Sequence, residues 1–214
     1  MISIYLIGII LLAYFFGSIP TAVWFGRAFY GVDVREFGSG NAGATNTFRV
    51  LGAKAGAIVM AIDILKGWTA TLLPFMLNWS IVGVPGSSQF INFQLALGVI
   101  AVIGHLFPLF AGFRGGKGVA TLFGMILAIH TPAALTCVTV FILILLITHY
   151  VSLSSISAAF TFPFSIAFIF KTPVPAVLIY GIAICALVLV THQKNIERLL
   201  KGHESKIYLF PKRK

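Results

Sequence analysis

Long apolar runs recur from one end of this chain to the other, and they leave it one class of architecture. Ile2 to Phe25, Ala55 to Leu77, Phe93 to Phe110, Val119 to Tyr150, Ser152 to Phe170 and Pro173 to Val190 are all dominated by apolar residues. A bilayer core offers the backbone no water, so a segment that crosses it satisfies its own amides, as a helix of about twenty residues does. Of the 214 residues 59% are hydrophobic and 9% are charged, with a mean hydropathy of +1.02. The apolar runs consume most of the chain and leave no room for a separate soluble domain. The expectation is an all-α integral membrane protein in which residues 1–214 form a single transmembrane domain.

The Val119 to Tyr150 run is too long for one span and contains His130-Thr131-Pro132. A proline disfavours helical backbone at the residue before it, so the run divides there into a short helix and a full one. About seven transmembrane helices result, the fourth unusually short. An odd number places the chain ends on opposite sides, and basic residues concentrate on the cytoplasmic side. With the N-terminus outside and the C-terminus cytoplasmic, Arg27, Arg35, Arg49, Lys54, Arg114, Lys117 and the basic tail from Thr191 onward all share the cytoplasmic side. Only Lys171 then faces out, while Lys66 lies within a segment. The formal charge of +10 reads as this asymmetry plus attraction for anionic lipid head groups. Interleaved aromatic and basic patches are absent, so no nucleic-acid partner is expected. The first run has no Lys or Arg before it and no convincing cleavage pattern, so it reads as a retained helix. Cys137 and Cys185 lie inside apolar stretches without ligand spacing, as small core or lipid-facing residues do.

Two polar, glycine-rich islands interrupt this pattern: Gly38-Ser39-Gly40-Asn41-Ala42-Gly43-Ala44-Thr45-Asn46 and Gly112-Phe113-Arg114-Gly115-Gly116-Lys117-Gly118. Loops so rich in glycine expose backbone N–H groups and let the main chain approach a ligand closely, which suits phosphate oxygens. The expected topology puts both islands on one membrane face with the tail and the Tyr150 to Ser155 stretch. Cationic side chains and loop amides gathered there suit an anion, and the helices beside them offer a groove for an acyl chain. The ligand chemistry is that of an amphiphile with a phosphate head.

These motifs resemble the membrane-bound acyl-phosphate:glycerol-3-phosphate acyltransferases of bacteria. Three blocks carry the resemblance: Gly38 to Asn46 with Arg49 beyond it; Gly104-His105 to Thr121, including Phe107-Pro108 and Gly115 to Thr121; and His192-Gln193-Lys194-Asn195-Ile196 through Arg198-Leu199 to Gly202 and Glu204. Asp63-Ile64-Leu65-Lys66-Gly67 and Tyr150-Val151-Ser152-Leu153 match in order between them. Ala42 is a departure, since a proline or another small apolar residue is familiar there. The resemblance implies a seven-helix fold in the bacterial plasma membrane with its motifs on the cytoplasmic side. It also implies transfer of an acyl group from acyl phosphate to the first hydroxyl of glycerol 3-phosphate, giving lysophosphatidic acid and phosphate.

An acyl phosphate is an activated mixed anhydride, so such an enzyme has to hold two substrates together, neutralise charge and help remove one hydroxyl proton. On the matching positions, Ser39 and the amides around Gly38, Gly40, Asn41 and Gly43 cradle the acyl-phosphate head, with Asn46 of the same loop also binding substrate. Lys117 supplies positive charge to the leaving phosphate, and Gly115 and Gly116 beside it bind substrate. Arg49 and Asn195 suit the phosphate and hydroxyls of glycerol 3-phosphate, with Ser152 in the same role. His192 stands at a motif position as base or orienting group, the substrate phosphate being the alternative proton acceptor. Asp63 and Lys66, three residues apart on one helical face, read as an ion pair that supports the site. His105 reads as a hydrogen-bonded helix-end histidine, and Arg114 as a topology signal. Ser39 as a nucleophile would need a triad that no Asp or Glu supplies.

The rival class is a transporter for a small anion, whose sites also use glycine breaks and short helices. No inverted repeat is evident between the halves, and the polar motifs gather at one face instead of the midplane. The His-x-x-x-x-Asp pattern of another lipid acyltransferase type and the spaced aspartates of phosphatidyl-alcohol synthases are both absent. With five acidic residues in all, a carboxylate-bound metal is not expected, nor is a nucleotide or other cofactor.

Overall fold

The structure, a computed structural model, describes residues 2–207, and among the described residues there are helices and no strands. They fall into two compact units, Met1–His130 and Thr131–Lys214. Four helices are long and apolar enough to cross a membrane, or up to six if each of two bent helix pairs counts as one span.

The first unit contains α1 (Ile2–Ser18), α2 (Thr21–Tyr30), α3 (Ala44–Leu51), α4 (Ala53–Leu72), α5 (Trp79–Val82), α6 (Ser88–Leu106) and α7 (Val119–Ile129). The run Ile2 to Phe25, expected as one helix, is broken at Ile19-Pro20, and α1 and α2 meet at a bend of 46°. Pro20 has no N–H to give and its ring collides with the carbonyl one turn back, which hydropathy does not register. The break leaves the Ile19 carbonyl without an i+4 donor; it accepts the Thr21 N–H at 3.0 Å and, as described below, a side chain. Helix α6 starts earlier than Phe93 because the Ser87 hydroxyl caps it, accepting the Phe90 N–H at 3.2 Å.

Small residues let these helices meet backbone to backbone. A Cβ on Gly17 or Gly104 would run into the carbonyls of Ala101 and Tyr14, so α1 and α6 touch only because both positions are glycine. Gly67 against the Thr121 carbonyl and Gly124 against that of Ile64 do the same for α4 and α7. Ala13, Ala70, Leu73, Leu97 and Ala101 form the buried core between α1, α4 and α6. A second cluster, Ala22, Val34 and Val59, ties α2 and α4 to the segment that leads into the first glycine island.

The second unit contains α8 (Thr131–Thr148), α9 (Val151–Phe164), α10 (Pro175–Thr191) and α11 (Gln193–Leu200), with a wider helical turn over 165–169 continuing α9. The division at His130-Thr131-Pro132 lies where proline chemistry places it, since α7 ends at Ile129 and α8 starts at Thr131. Cys185 packs as a small core residue, its thiol donating to the Ala159 carbonyl of α9 at 2.9 Å. The stretch expected as the start of a basic tail instead forms α11, turned 64° from α10.

Candidate functional site

The first island ends at the N-terminus of α3. Gly43 caps that helix, its carbonyl accepting the Asn46 and Thr47 N–H groups at 3.1 Å. Asn46 shapes the loop from within: its Oδ1 accepts the Ser39 N–H at 2.8 Å and the Ser39 hydroxyl at 3.1 Å, while its amide donates to the carbonyls of Val34 at 2.7 Å and Phe37 at 3.1 Å. Two donors and two lone pairs are thereby used, so the buried Asn46 serves as the loop's internal brace. Gly38 has φ +60°, and a Cβ there would strike Asn46 Oδ1; only glycine lets the chain pass over the brace. Ser39 and Gly40 are exposed, Asn41 and Gly43 are half-buried, and Arg49 sits half-buried in the last turn of α3.

The second island likewise runs into a helix N-terminus. Gly118, at φ +80°, caps α7, and half-buried Lys117 stands just before it. A helix start presents unpaired N–H groups and the positive end of the helix dipole, so both islands end in places that favour anions. The Gly115 and Gly116 N–H groups donate to the Leu106 and His105 carbonyls, each at 3.2 Å, which folds the island back onto the end of α6. A Cβ on Gly116 would occupy the position of His105 Nε2. Arg114 is exposed.

Beneath the islands lies a buried polar cluster. Asp63 Oδ1 takes Lys66 Nζ at 2.9 Å and the Thr21 hydroxyl at 3.0 Å, and His105 Nδ1 lies 3.7 Å from the same oxygen. Lys66 Nζ also donates to the Ile19 carbonyl at 3.0 Å, the group freed by the break at Pro20. Asp63 and Lys66 therefore join α4 to the α1–α2 corner. Their reach is wider than the sequence shows, because Thr21, Ala42, Lys66, His105, Gly115 and Gly116 line one small pocket that touches both islands. Thr21 carries no signal in the sequence, and His105, a motif residue that reads there as a helix-end histidine, gives no sign of its approach to Asp63; 42 residues separate each from Asp63, and no spacing rule connects them. Asp63 and His105 are two of the donors a metal would need, and no third His, Cys, Asp or Glu joins them among the described residues.

In the second unit Glu204 organises the residues named from the third motif. Its Oε1 accepts the Ser152 hydroxyl at 2.8 Å and the Asn195 amide at 2.6 Å, and its Oε2 accepts Arg198 Nε at 2.6 Å. Burial pushes this carboxyl up, but hydrogen bonds from Arg198, Asn195 and Ser152 and the Arg198 charge outweigh it, leaving Glu204 below the usual carboxylate range. Ser152 and Asn195 are thus fixed on a carboxylate that sequence reasoning had noted only as the end of a motif. His192 closes α10, buried, with Nδ1 2.8 Å from the Val188 carbonyl and 3.3 Å from Thr191 Oγ1. A carbonyl only accepts, so Nδ1 carries a proton in this contact, which in a neutral ring makes Nε2 the accepting nitrogen.

Known proteins resemble this chain along nearly its whole length. A family model described as glycerol-3-phosphate acyltransferase matches residues 7–202. A glycerol-3-phosphate acyltransferase of Listeria welshimeri is 48% identical over 206 residues, covering 96% of this chain and 98% of its own length. That of Enterococcus faecalis is 42% identical, covering 93% and 90% respectively. Among solved structures, the glycerol 3-phosphate form of PlsY (YgiH), an integral membrane glycerol 3-phosphate acyltransferase, superposes with a TM-score of 0.80 at 36% identity, over 94% of this chain and 95% of that one. Its lysophosphatidic acid form gives 0.79. Matched by the family model over residues 7–202 and by relatives along nearly its whole length, the chain belongs to the glycerol-3-phosphate acyltransferase family.

Proposed function

We propose that this protein transfers a fatty acyl group from acyl phosphate to the sn-1 hydroxyl of glycerol 3-phosphate, giving lysophosphatidic acid and inorganic phosphate. The observation that carries the phosphate chemistry is the pair of glycine islands, each ending at a helix N-terminus, with Lys117 beside one. The solved relatives in glycerol 3-phosphate and lysophosphatidic acid forms support the acceptor and the product. No thioester-type acyltransferase motif is present, which supports acyl phosphate as the donor.

In this reading Gly38 to Gly43 hold the donor phosphate through the Gly38, Asn41 and Gly43 amides and through the Ser39 hydroxyl once it turns from Asn46 Oδ1, while the Gly40 N–H, donated to the Phe37 carbonyl at 3.0 Å, and Asn46 keep the loop in shape. Lys117, between Gly116 and Gly118, neutralises the phosphate as the acyl–oxygen bond breaks. Arg49, Ser152 and Asn195 bind glycerol 3-phosphate. His192 Nε2 accepts the hydroxyl proton as the oxygen attacks the acyl carbon, so no covalent enzyme intermediate forms. Seven spans, an outside N-terminus, a cytoplasmic C-terminus and a cytoplasm-facing site in the bacterial inner membrane complete the reading, with residues 1–214 acting as one catalytic domain.

The test is product stoichiometry. Purified protein in lipid, given acyl phosphate and glycerol 3-phosphate, is expected to release one phosphate per lysophosphatidic acid formed. Counterflow of glycerol 3-phosphate across sealed vesicles without acyl transfer would point to the anion transporter instead.

A further inference from the structure

The side chain of Arg35 reaches from the segment before the first island to the loop that opens the second. Its Nε and Nη2 donate to the Asp33 carboxylate at 3.0 and 2.7 Å, and its Nη1 donates to the Ala111 carbonyl at 2.8 Å and, at the limit of a hydrogen bond, to that of Arg114 at 3.5 Å. Asp33 is a fixed base for this span. Its side chain is 7% exposed, it caps the Arg35 N–H at 3.0 Å, and it takes a second guanidinium, that of Arg27, at 2.9 Å.

The loop at the far end is one that needs holding. It turns through Gly112 at φ +62° and Phe113 at φ +58°. A bulky side chain in the left-handed region is strained and persists where its surroundings over-determine it. Inside the loop the Ala111 and Phe113 N–H groups both go to the Pro108 carbonyl, at 3.1 and 2.9 Å, and Arg35 is the side chain that grips it from outside. Lys117 follows four residues after Phe113.

We propose that Arg35 is a positioning residue for acyl transfer: clamped on Asp33, its guanidinium holds the 111–114 loop and so sets where Lys117 meets the donor phosphate. This rests on the acyltransfer reading above. Charge alone does not suffice, because a planar guanidinium serves a carboxylate along one edge while its remaining nitrogen serves the carbonyls. A lysine ammonium in its place is a single point that reaches one partner or the other.

Full-length protein in lipid nanodiscs, as wild type, Arg35→Lys and Arg35→Gln, separates the possibilities by amide hydrogen exchange and steady-state kinetics. Both variants are expected to exchange residues 111–118 at least about tenfold faster while α4 is unchanged. Both are expected to lose about tenfold or more in kcat, with KM for glycerol 3-phosphate within about twofold, as misplacement of a catalytic group produces. Unchanged exchange over 111–118, near wild-type kcat in Arg35→Lys, or exchange that rises equally in α4 would each overturn the clamp. A wild-type protein that makes no lysophosphatidic acid while its Arg35 variants show the local exchange signature would instead overturn the acyltransfer reading.

Discussion

Asn46 holds Ser39 twice through one atom, its Oδ1 accepting both the Ser39 backbone N–H and the Ser39 hydroxyl. The first island is therefore a shaped object before any ligand arrives, with its exposed serine fixed from below. Both Ser39 donors are spent on Asn46, so the physical value of the brace is the fixed path of the loop, which holds its remaining amides in place as charge develops. Asn46→Ala leaves the Val34 and Phe37 carbonyls and both Ser39 donors without their partner. A buried group left unpaired costs about 1–3 kcal/mol, so kcat/KM is expected to fall about 10- to 100-fold. Gly38→Ala, whose Cβ would strike the same Oδ1 at φ +60°, should fall alongside it in the same assay.

Lys117 and Arg114 are both cationic members of one loop, and the two readings of that loop separate them. Lys117→Ala is expected to abolish measurable turnover, because the leaving phosphate loses its counter-charge. Arg114→Ala, at an exposed position, is expected to stay within about threefold of wild type. Equal losses would mean that the loop acts through its overall charge.

His192 is fixed in the tautomer that leaves Nε2 as acceptor. His192→Gln preserves a hydrogen-bonding side chain and removes the base, so kcat is expected to drop by about 10²-fold or more with a smaller change in KM. Retention of most of the maximal rate would transfer the proton to the phosphate of glycerol 3-phosphate.

Asp33 gives the fold an acid-sensitive contact. The hydrogen bond from the Arg35 side chain is the largest influence on its carboxyl; burial works against it, and the Arg35 backbone N–H and the Arg35 and Arg27 charges add to it, the net result being a fall to about 2 from the ordinary 3.8. The folded protein therefore binds the proton less readily than the unfolded chain. The resulting stability is fully present above the ordinary value and is lost as pH falls from there toward about 2. The Tm difference between wild type and Asp33→Asn is expected to be constant at neutral and mildly acid pH and to shrink below about pH 4. A difference that does not change across that window would remove Asp33 from the acid response.

Much of the fold is legible in residue order because apolar length and proline position act locally. The end of α7 at Ile129 and the start of α8 at Thr131 follow from Thr131-Pro132 alone. Pro20 carried the same information, but Ile19 and its apolar neighbours made the run look continuous, and a 46° bend leaves no trace in hydropathy. Helix α11 falls within the basic stretch that begins at Thr191, and its eight residues, which include Lys194, Glu197 and Arg198, are too few and too polar to signal a helix through hydropathy. At the site, the islands and the third motif were readable as polar residues in an apolar chain. What holds them was not: Thr21 and His105 reach Asp63 from 42 residues away, and Glu204 meets Ser152 across 52. Contacts of that range depend on how helices pack, which no local pattern encodes.

The proposed reaction stands or falls on its acyl donor. One fatty acyl group is offered to the purified protein with glycerol 3-phosphate in three forms: as acyl phosphate, as its coenzyme A thioester and as its acyl carrier protein thioester. Lysophosphatidic acid formed from acyl phosphate alone, with phosphate released in equal amount, is the expected result. No product from acyl phosphate alongside turnover of either thioester would contradict it.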